Sequence, residues 1–247
     1  MKPLRNVKLT LEYDGTRFFG FQRQPGKRTV QSELEKAFKR LFRKKIKISS
    51  ASGRTDRGVH ARGQVINFKI NSKIPLFKIQ QALNTYLPED LVVVKVNEMS
   101  LSFNARFWAK TKTYQYTVLN SKTRSPLYRK SSYYFPYSLN VSLIKKAGKM
   151  IIGRHNFKSF QSKADSRNSV RTLHRLTIEK RGDLLVFIAE GDGFLYNMVR
   201  NIVGTLLLVG TKKISLADFK EILDKCNRSH LGPTAPPQGL CLLRVKY

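Results

Sequence analysis

Gly53-Arg54-Thr55-Asp56-Arg57-Gly58-Val59-His60-Ala61 sets one acidic residue inside a glycine-bounded stretch that is otherwise basic, and what flanks it decides the fold. Residues 7–13 before it and 64–70 after it alternate apolar and polar side chains in part, the period of half-buried strands. The stretch therefore reads as a loop carried on a sheet, where a rigid scaffold can present chemistry. Outward from it, strand 46–50 and strand 64–70 form a hairpin-like pair around the loop. Helix 29–43 follows the first strand, with Val30, Leu34, Phe38, Leu41 and Phe42 at helical spacing and Thr29 as N-cap. Helix 77–87 and strand 91–97 complete a first α+β lobe over residues 1–105.

Residues 106–247 repeat the theme loosely as a second α+β lobe, compactly joined to the first. They read as strand 113–119, helix 141–152, a hairpin over 173–190 turning at Arg181-Gly182-Asp183, helices 194–208 and 216–224, and a last strand 240–246. The expected fold class is α+β: a central mixed or antiparallel sheet with helices outside and a cleft between the lobes.

The 47 Lys and Arg residues against 16 Asp and Glu give a formal charge of +31 over 247 residues, spread along the whole length. Charge of that size implies a polyanionic partner, nucleic acid first. A membrane surface is the weaker reading, since no run of about 18 apolar residues occurs. The N-terminal Met1-Lys2-Pro3-Leu4-Arg5 enters a strand pattern at once, without an apolar signal core, and Cys226 and Cys241 do not make a disulfide framework. The expected location is cytoplasmic. HExxH, CxxC and GxxxxGK[ST] are all missing from the sequence, and the four His stand apart at 60, 155, 174 and 230, so no metal site is expected. Gly191-Asp192-Gly193 opens like a dinucleotide fingerprint, but Tyr196 occupies the place of its third glycine; it reads as a tight turn.

Asp56 could simply be a turn former. Its company argues otherwise: Arg54, Arg57 and Arg62 would keep the carboxylate ionised and attract phosphates, and Gly53 and Gly58 would let a bulky ligand approach the backbone. Arg200, between Val199 and Ile202 in an apolar segment, would be costly unless paired or facing a groove. Tyr114 alternates with Tyr116 on one strand face, so either could be a core tyrosine.

The RTDxGVHA loop resembles that of the TruA-type tRNA pseudouridine synthases. The likeness extends in order through Tyr13-Asp14-Gly15-Thr16, Phe19-Gly20-Phe21-Gln22-Arg23-Gln24, Phe103-Asn104-Ala105-Arg106, Lys112-Thr113-Tyr114-Gln115-Tyr116, Arg154-His155-Asn156-Phe157, Phe194 to Asn201 and Ala235-Pro236-Pro237-Gln238-Gly239-Leu240. The resemblance implies isomerisation of uridine to pseudouridine in the anticodon stem-loop of tRNA, at tRNA positions 38, 39 and 40, by a homodimer that needs neither metal nor organic cofactor. It implies Asp56 as the catalytic carboxylate with Arg200 as its ion-pair partner. Tyr114 would stack on the target base and serve as a late base, Leu240 would wall the same base, and Arg54 would fill the gap left when the uridine is flipped out. Whether the carboxylate attacks the sugar, stabilises it, or assists deprotonation at C2′ is left open. His60 is read as loop scaffolding, and Arg17, Arg23, Lys27 and Arg28 as phosphate contacts. The segment 161–171 is very basic and polar. Two rival readings stand beside this one: a pseudouridine synthase acting on another RNA site, and a non-catalytic tRNA-binding chaperone, which would gain nothing from the lone carboxylate.

Overall fold

In the computed structural model of the chain, the described residues are 3–162, 168–226 and 231–247. Residues 163–167 of the basic segment, and His230, lie outside them. The chain divides into two compact units, Met1–Lys110 with Leu242–Tyr247, and Thr111–Cys241.

In the first unit, β1 (Leu4–Tyr13) lies between two antiparallel partners, β3 (His60–Asn71) and β4 (Leu91–Met99), and β2 (Ile48–Ala51) pairs with the other edge of β3, at the Ile66, Asn67 and Phe68 that also face β1. The alternation along β1 sends Val7, Leu9 and Leu11 into the core, each fully buried; burying one such side chain is worth about 1.5–3 kcal/mol. Helix α1 (Val30–Phe42) lays Leu34, Ala37 and Phe38 against this sheet, the Phe38 ring 4.6 Å from that of Phe68 in β3. Its start is the capped one expected: Thr29 accepts from the Ser32 N–H, and the Ser32 hydroxyl takes the Thr29 N–H in return. Helix α2 (Leu76–Tyr86) covers β4, which ends the strand order. There the Asn84 amide engages both backbone groups of Val93, at 2.8 and 3.1 Å, so a side chain does the work of a missing strand.

The second unit is built on an antiparallel sheet in the order β5 (Thr111–Leu119), β9 (Leu184–Gly191), β8 (Val170–Arg181), β7 (Gly153–Asn156), with β6 (Tyr133–Tyr134) added in parallel to β5. The β8–β9 hairpin turns where expected, with Gly182 at φ +58°. Helices α3 (Val141–Met150), α4 (Met198–Gly210) and α5 (Leu216–Asp224) complete it. Helix α4 starts four residues later than the apolar pattern from Phe194 suggests, because Asn197 sits at φ +60°, in the left-handed region where a helix cannot continue. Gly191-Asp192-Gly193 is a turn: the Asp192 carboxylate accepts the Thr172 N–H, while Asp192 N–H donates to the Thr172 carbonyl.

The last strand, β10 (Leu240–Lys246), differs most from the expected division. From Leu242 onward it belongs to the first unit, beside β3, and not with the lobe that precedes it in sequence. The reason is local complementarity. Gly63 in β3 leaves no room for a side chain against the backbone of Leu243 and Arg244, Lys110 N–H donates to the Lys246 carbonyl at 2.8 Å, and the Tyr247 hydroxyl donates to the Ala105 carbonyl at 2.9 Å. Each unit is therefore α+β, with a sheet of mixed strand direction in the second.

Candidate active site

The loop of the first unit is held at both ends and in the middle, and Asp56 lies in the span between. At its start Gln64 donates to the Gly53 carbonyl at 2.9 Å and accepts from the Ser52 hydroxyl at 2.6 Å. In the middle, the Thr55 carbonyl takes the Phe21 N–H at 3.0 Å, and its hydroxyl meets the buried Tyr13 hydroxyl at 2.7 Å. Toward its end Gly58 N–H reaches the Phe18 carbonyl at 3.3 Å. The Gly15 N–H donates to His60 Nδ1 at 3.0 Å. That same nitrogen is 3.2 Å from Asp14 Oδ1.

Asp56 to Val59 form a turn closed by the Val59 N–H on the Asp56 carbonyl at 3.2 Å, with Gly58 at φ +78° in its third position. That position of a type II turn requires positive φ, so Gly58 shapes the turn where the sequence suggested ligand access. Asp56 closes the turn through its backbone and remains half-buried, with Arg54 and Arg57 exposed on either side. The strand that carries Tyr13 and the loop after it thus form the mould for the Asp56 turn. Both residues stand in stretches that the sequence marked, Tyr13-Asp14-Gly15-Thr16 and the RTDxGVHA loop, but their pairing, 42 positions apart, left no trace there.

The second unit holds Tyr114, Arg200 and Leu240. Of the two tyrosines on β5, Tyr116 is the core residue: it is fully buried, its hydroxyl donates to the Pro236 carbonyl at 2.6 Å, and burial pushes its ionisation far above the ordinary range, although the nearby Arg200 charge opposes this. Tyr114 is half-buried and packs edge-on against Phe194, ring centroids 5.1 Å apart. Arg200 lies in the first turn of α4, its Nε donating to the Ala235 carbonyl at 2.7 Å and one terminal nitrogen to Asn197 Oδ1 at 2.9 Å, while Ala235 N–H returns a bond to the Arg200 carbonyl. This answers part of the cost of an arginine in apolar surroundings. Arg200 and Tyr116 together hold the segment 235–240, and buried Leu240 leaves it after the tight turn Pro237–Gly239. The structure thus groups Arg54 with Asp56 in one unit, and Arg200 with the segment bearing Leu240 in the other.

Among the described residues, no group of three or more His, Cys, Asp or Glu is placed to hold a metal ion. Nor is any helix long and apolar enough to cross a membrane.

Residues 10–107 and 147–247 match the family model described as tRNA pseudouridine synthase, and the chain belongs to that family. Within it, the similar curated proteins carry the name tRNA pseudouridine synthase A. One from Thermoanaerobacter sp. (strain X514) is 46% identical over 245 residues, covering 99% of this chain and 100% of the relative. One from Geobacillus sp. (strain WCH70) is 46% identical, covering 98% of each. A protein of Clostridium perfringens named tRNA pseudouridine synthase A 2 is 44% identical, covering 99% and 100%.

Proposed function

We propose that this chain isomerises uridine to pseudouridine in the anticodon stem-loop of tRNA, at positions 38, 39 and 40, acting in the cytoplasm as a homodimer. Asp56 is the catalytic carboxylate, and Arg54, Tyr114, Arg200 and Leu240 take the roles that the family resemblance implies. The observation that carries the reading is the clamped turn: a half-buried carboxylate flanked by two exposed arginines, on a loop whose backbone is bonded at Gly53, Thr55 and Gly58. A preorganised carboxylate suits a reaction in which the N1 glycosidic bond breaks, the uracil turns, and a C1′–C5 bond forms, because each step needs the sugar held against one fixed group.

The test is base-resolved pseudouridine mapping of an unmodified tRNA transcript incubated with the protein alone. Pseudouridine confined to the anticodon arm is the expected result. Pseudouridine elsewhere in the tRNA would move the target, and tight binding without any isomerisation would favour the chaperone.

Under this reading Tyr13 and Thr55 are positioning residues. Thr55→Val, which removes the hydroxyl pair, is expected to lower single-turnover kcat by about 10- to 100-fold, since displacements near 1 Å at a reacting group cost that much. tRNA affinity should stay level, and Thr55→Ser should restore most of the rate. A Thr55→Val enzyme with wild-type kcat would remove the clamp from the mechanism.

A further inference from the structure

We infer that Phe19, Lys27 and Arg57 form a phosphodiester-binding platform beside the Asp56 turn, which takes the RNA backbone next to the reacting nucleotide. The inference rests on the tRNA reading above.

The structure sorts the cations of the loop that precedes α1, all four of which the sequence suggested as phosphate contacts. Arg28 is committed elsewhere: it makes a bidentate pair with Asp90, at 2.6 and 2.8 Å, with that carboxylate nearly buried and Glu33 4.0 Å away. Its charge is already matched by a nearly buried carboxylate that takes the two parallel N–H groups of its fork, so it has less to offer a phosphate. Arg17 pairs with Glu89 at 2.5 Å and Arg23 with Glu35 at 2.9 Å. Lys27 is disposed differently, and so is Arg57 of the catalytic loop. Both are exposed, and both lie over one aromatic ring, Lys27 Nζ 4.9 Å and Arg57 Cζ 4.3 Å from the Phe19 centroid.

The ring between them is fixed. Phe19 N–H donates to the Arg28 carbonyl at 2.9 Å, Gln24 donates to the Phe19 carbonyl at 2.7 Å, and the next residue, Gly20 at φ +88°, runs so close to the Thr55 carbonyl that a side chain would crowd it. Phe19 is thus tied to the same backbone that holds Asp56. Two like charges drawn to one ring repel each other, and an anion bridging them removes that cost. A guanidinium resting on a ring keeps its N–H edge for a phosphate oxygen, and the lysine adds a mobile point charge. Arg57 follows Asp56 directly, which sets an anion held there beside the reacting nucleotide; a diester matches two cations without reading a base.

The test is the salt dependence of tRNA binding. For single-stranded RNA each phosphate contact contributes about 0.7 to the slope of log Kd against log salt, so the double variant Lys27→Gln/Arg57→Gln, which empties the one diester site the two cations share, should reduce the slope by about 0.7. Arg23→Gln, which removes an ion-paired cation of the same loop, should leave the slope unchanged. Phe19→Leu, which keeps both charges but removes the ring they rest on, should raise KM for tRNA. An unchanged slope in the double variant overturns the inference, as does an equal loss in Arg23→Gln, which would mean that only net charge counts. Pseudouridine mapping of the wild-type protein separates the two failures. Normal isomerisation with an unaltered slope sinks the platform alone; no isomerisation with the expected slope change sinks the reaction and leaves an RNA-backbone site.

Discussion

Asp56→Asn is expected to abolish isomerisation, by at least about 10³-fold in single-turnover rate, while tRNA binding and the fold stay as they are. Removing the central group of a covalent or charge-stabilising mechanism costs that much or more. The fold survives because the turn closes through the Asp56 carbonyl, which asparagine retains. The replacement is also nearly isosteric, and the loop's anchors at Thr55, Gly53 and Gly58 do not involve the carboxylate. Rate by pseudouridine mapping and affinity by filter binding would be read on the same preparation. Near-normal turnover in the variant would take the carboxylate assignment away from Asp56. A parallel loss of rate and thermal stability would instead restore the turn-former reading.

Gly15→Ala is expected to be the most damaging single-methyl change near the site. A Cβ at Gly15 would overlap the Val59 carbonyl group, 2.5 Å from its carbon and 3.0 Å from Val59 N. These are backbone atoms at the end of the catalytic loop, so no rotamer change relieves the clash. Overpacking that forces backbone to move costs about 3 kcal/mol, a fall of roughly 6–12 °C in Tm for a chain of this size. The same shift breaks the Gly15–His60 bond and drags the Asp56 turn with it. Activity should therefore be lost even at temperatures where the variant remains folded. Gly26→Ala serves as the comparator: its Cβ meets nothing within 4 Å, and the φ of +65° carries strain alone, worth about 1–2 kcal/mol. Thermal melts of both variants would decide it, and a Gly15→Ala protein as stable as Gly26→Ala would show that the loop yields to the methyl.

Much of the first unit was legible because its signals are local. The alternation in β1, the helical spacing from Val30 to Phe38 and the Thr29 cap each lie within a few residues of what they determine. Helix α4 was misjudged at its start because Phe194 and Leu195 extend its apolar pattern, whereas Phe194 packs on Tyr114 and Asn197 takes a left-handed conformation; neither leaves a periodic trace. The lone carboxylate among arginines was visible as a candidate site. What holds it was not, since the bonds from Tyr13, Phe18 and Phe21 to the loop bridge some 34–42 positions and four of the six groups used are backbone. The cations before α1 looked equivalent for the same reason: the carboxylates that engage Arg17, Arg23 and Arg28 come from residues 35, 89 and 90.

The placement of Leu242–Tyr247 in the first unit carries a consequence for how the protein is made. A ribosome delivers residues 1–110 first, but the strand that lies beside β3 emerges only after all of residues 111–241. Until then β3 lacks that neighbour, and the site under Phe103 and Ala105 that Tyr247 occupies stays unfilled. The half of the molecule synthesised first is therefore the half finished last. The strand that follows the carboxylate-bearing loop gains this neighbour only when residues 242–247 have been made.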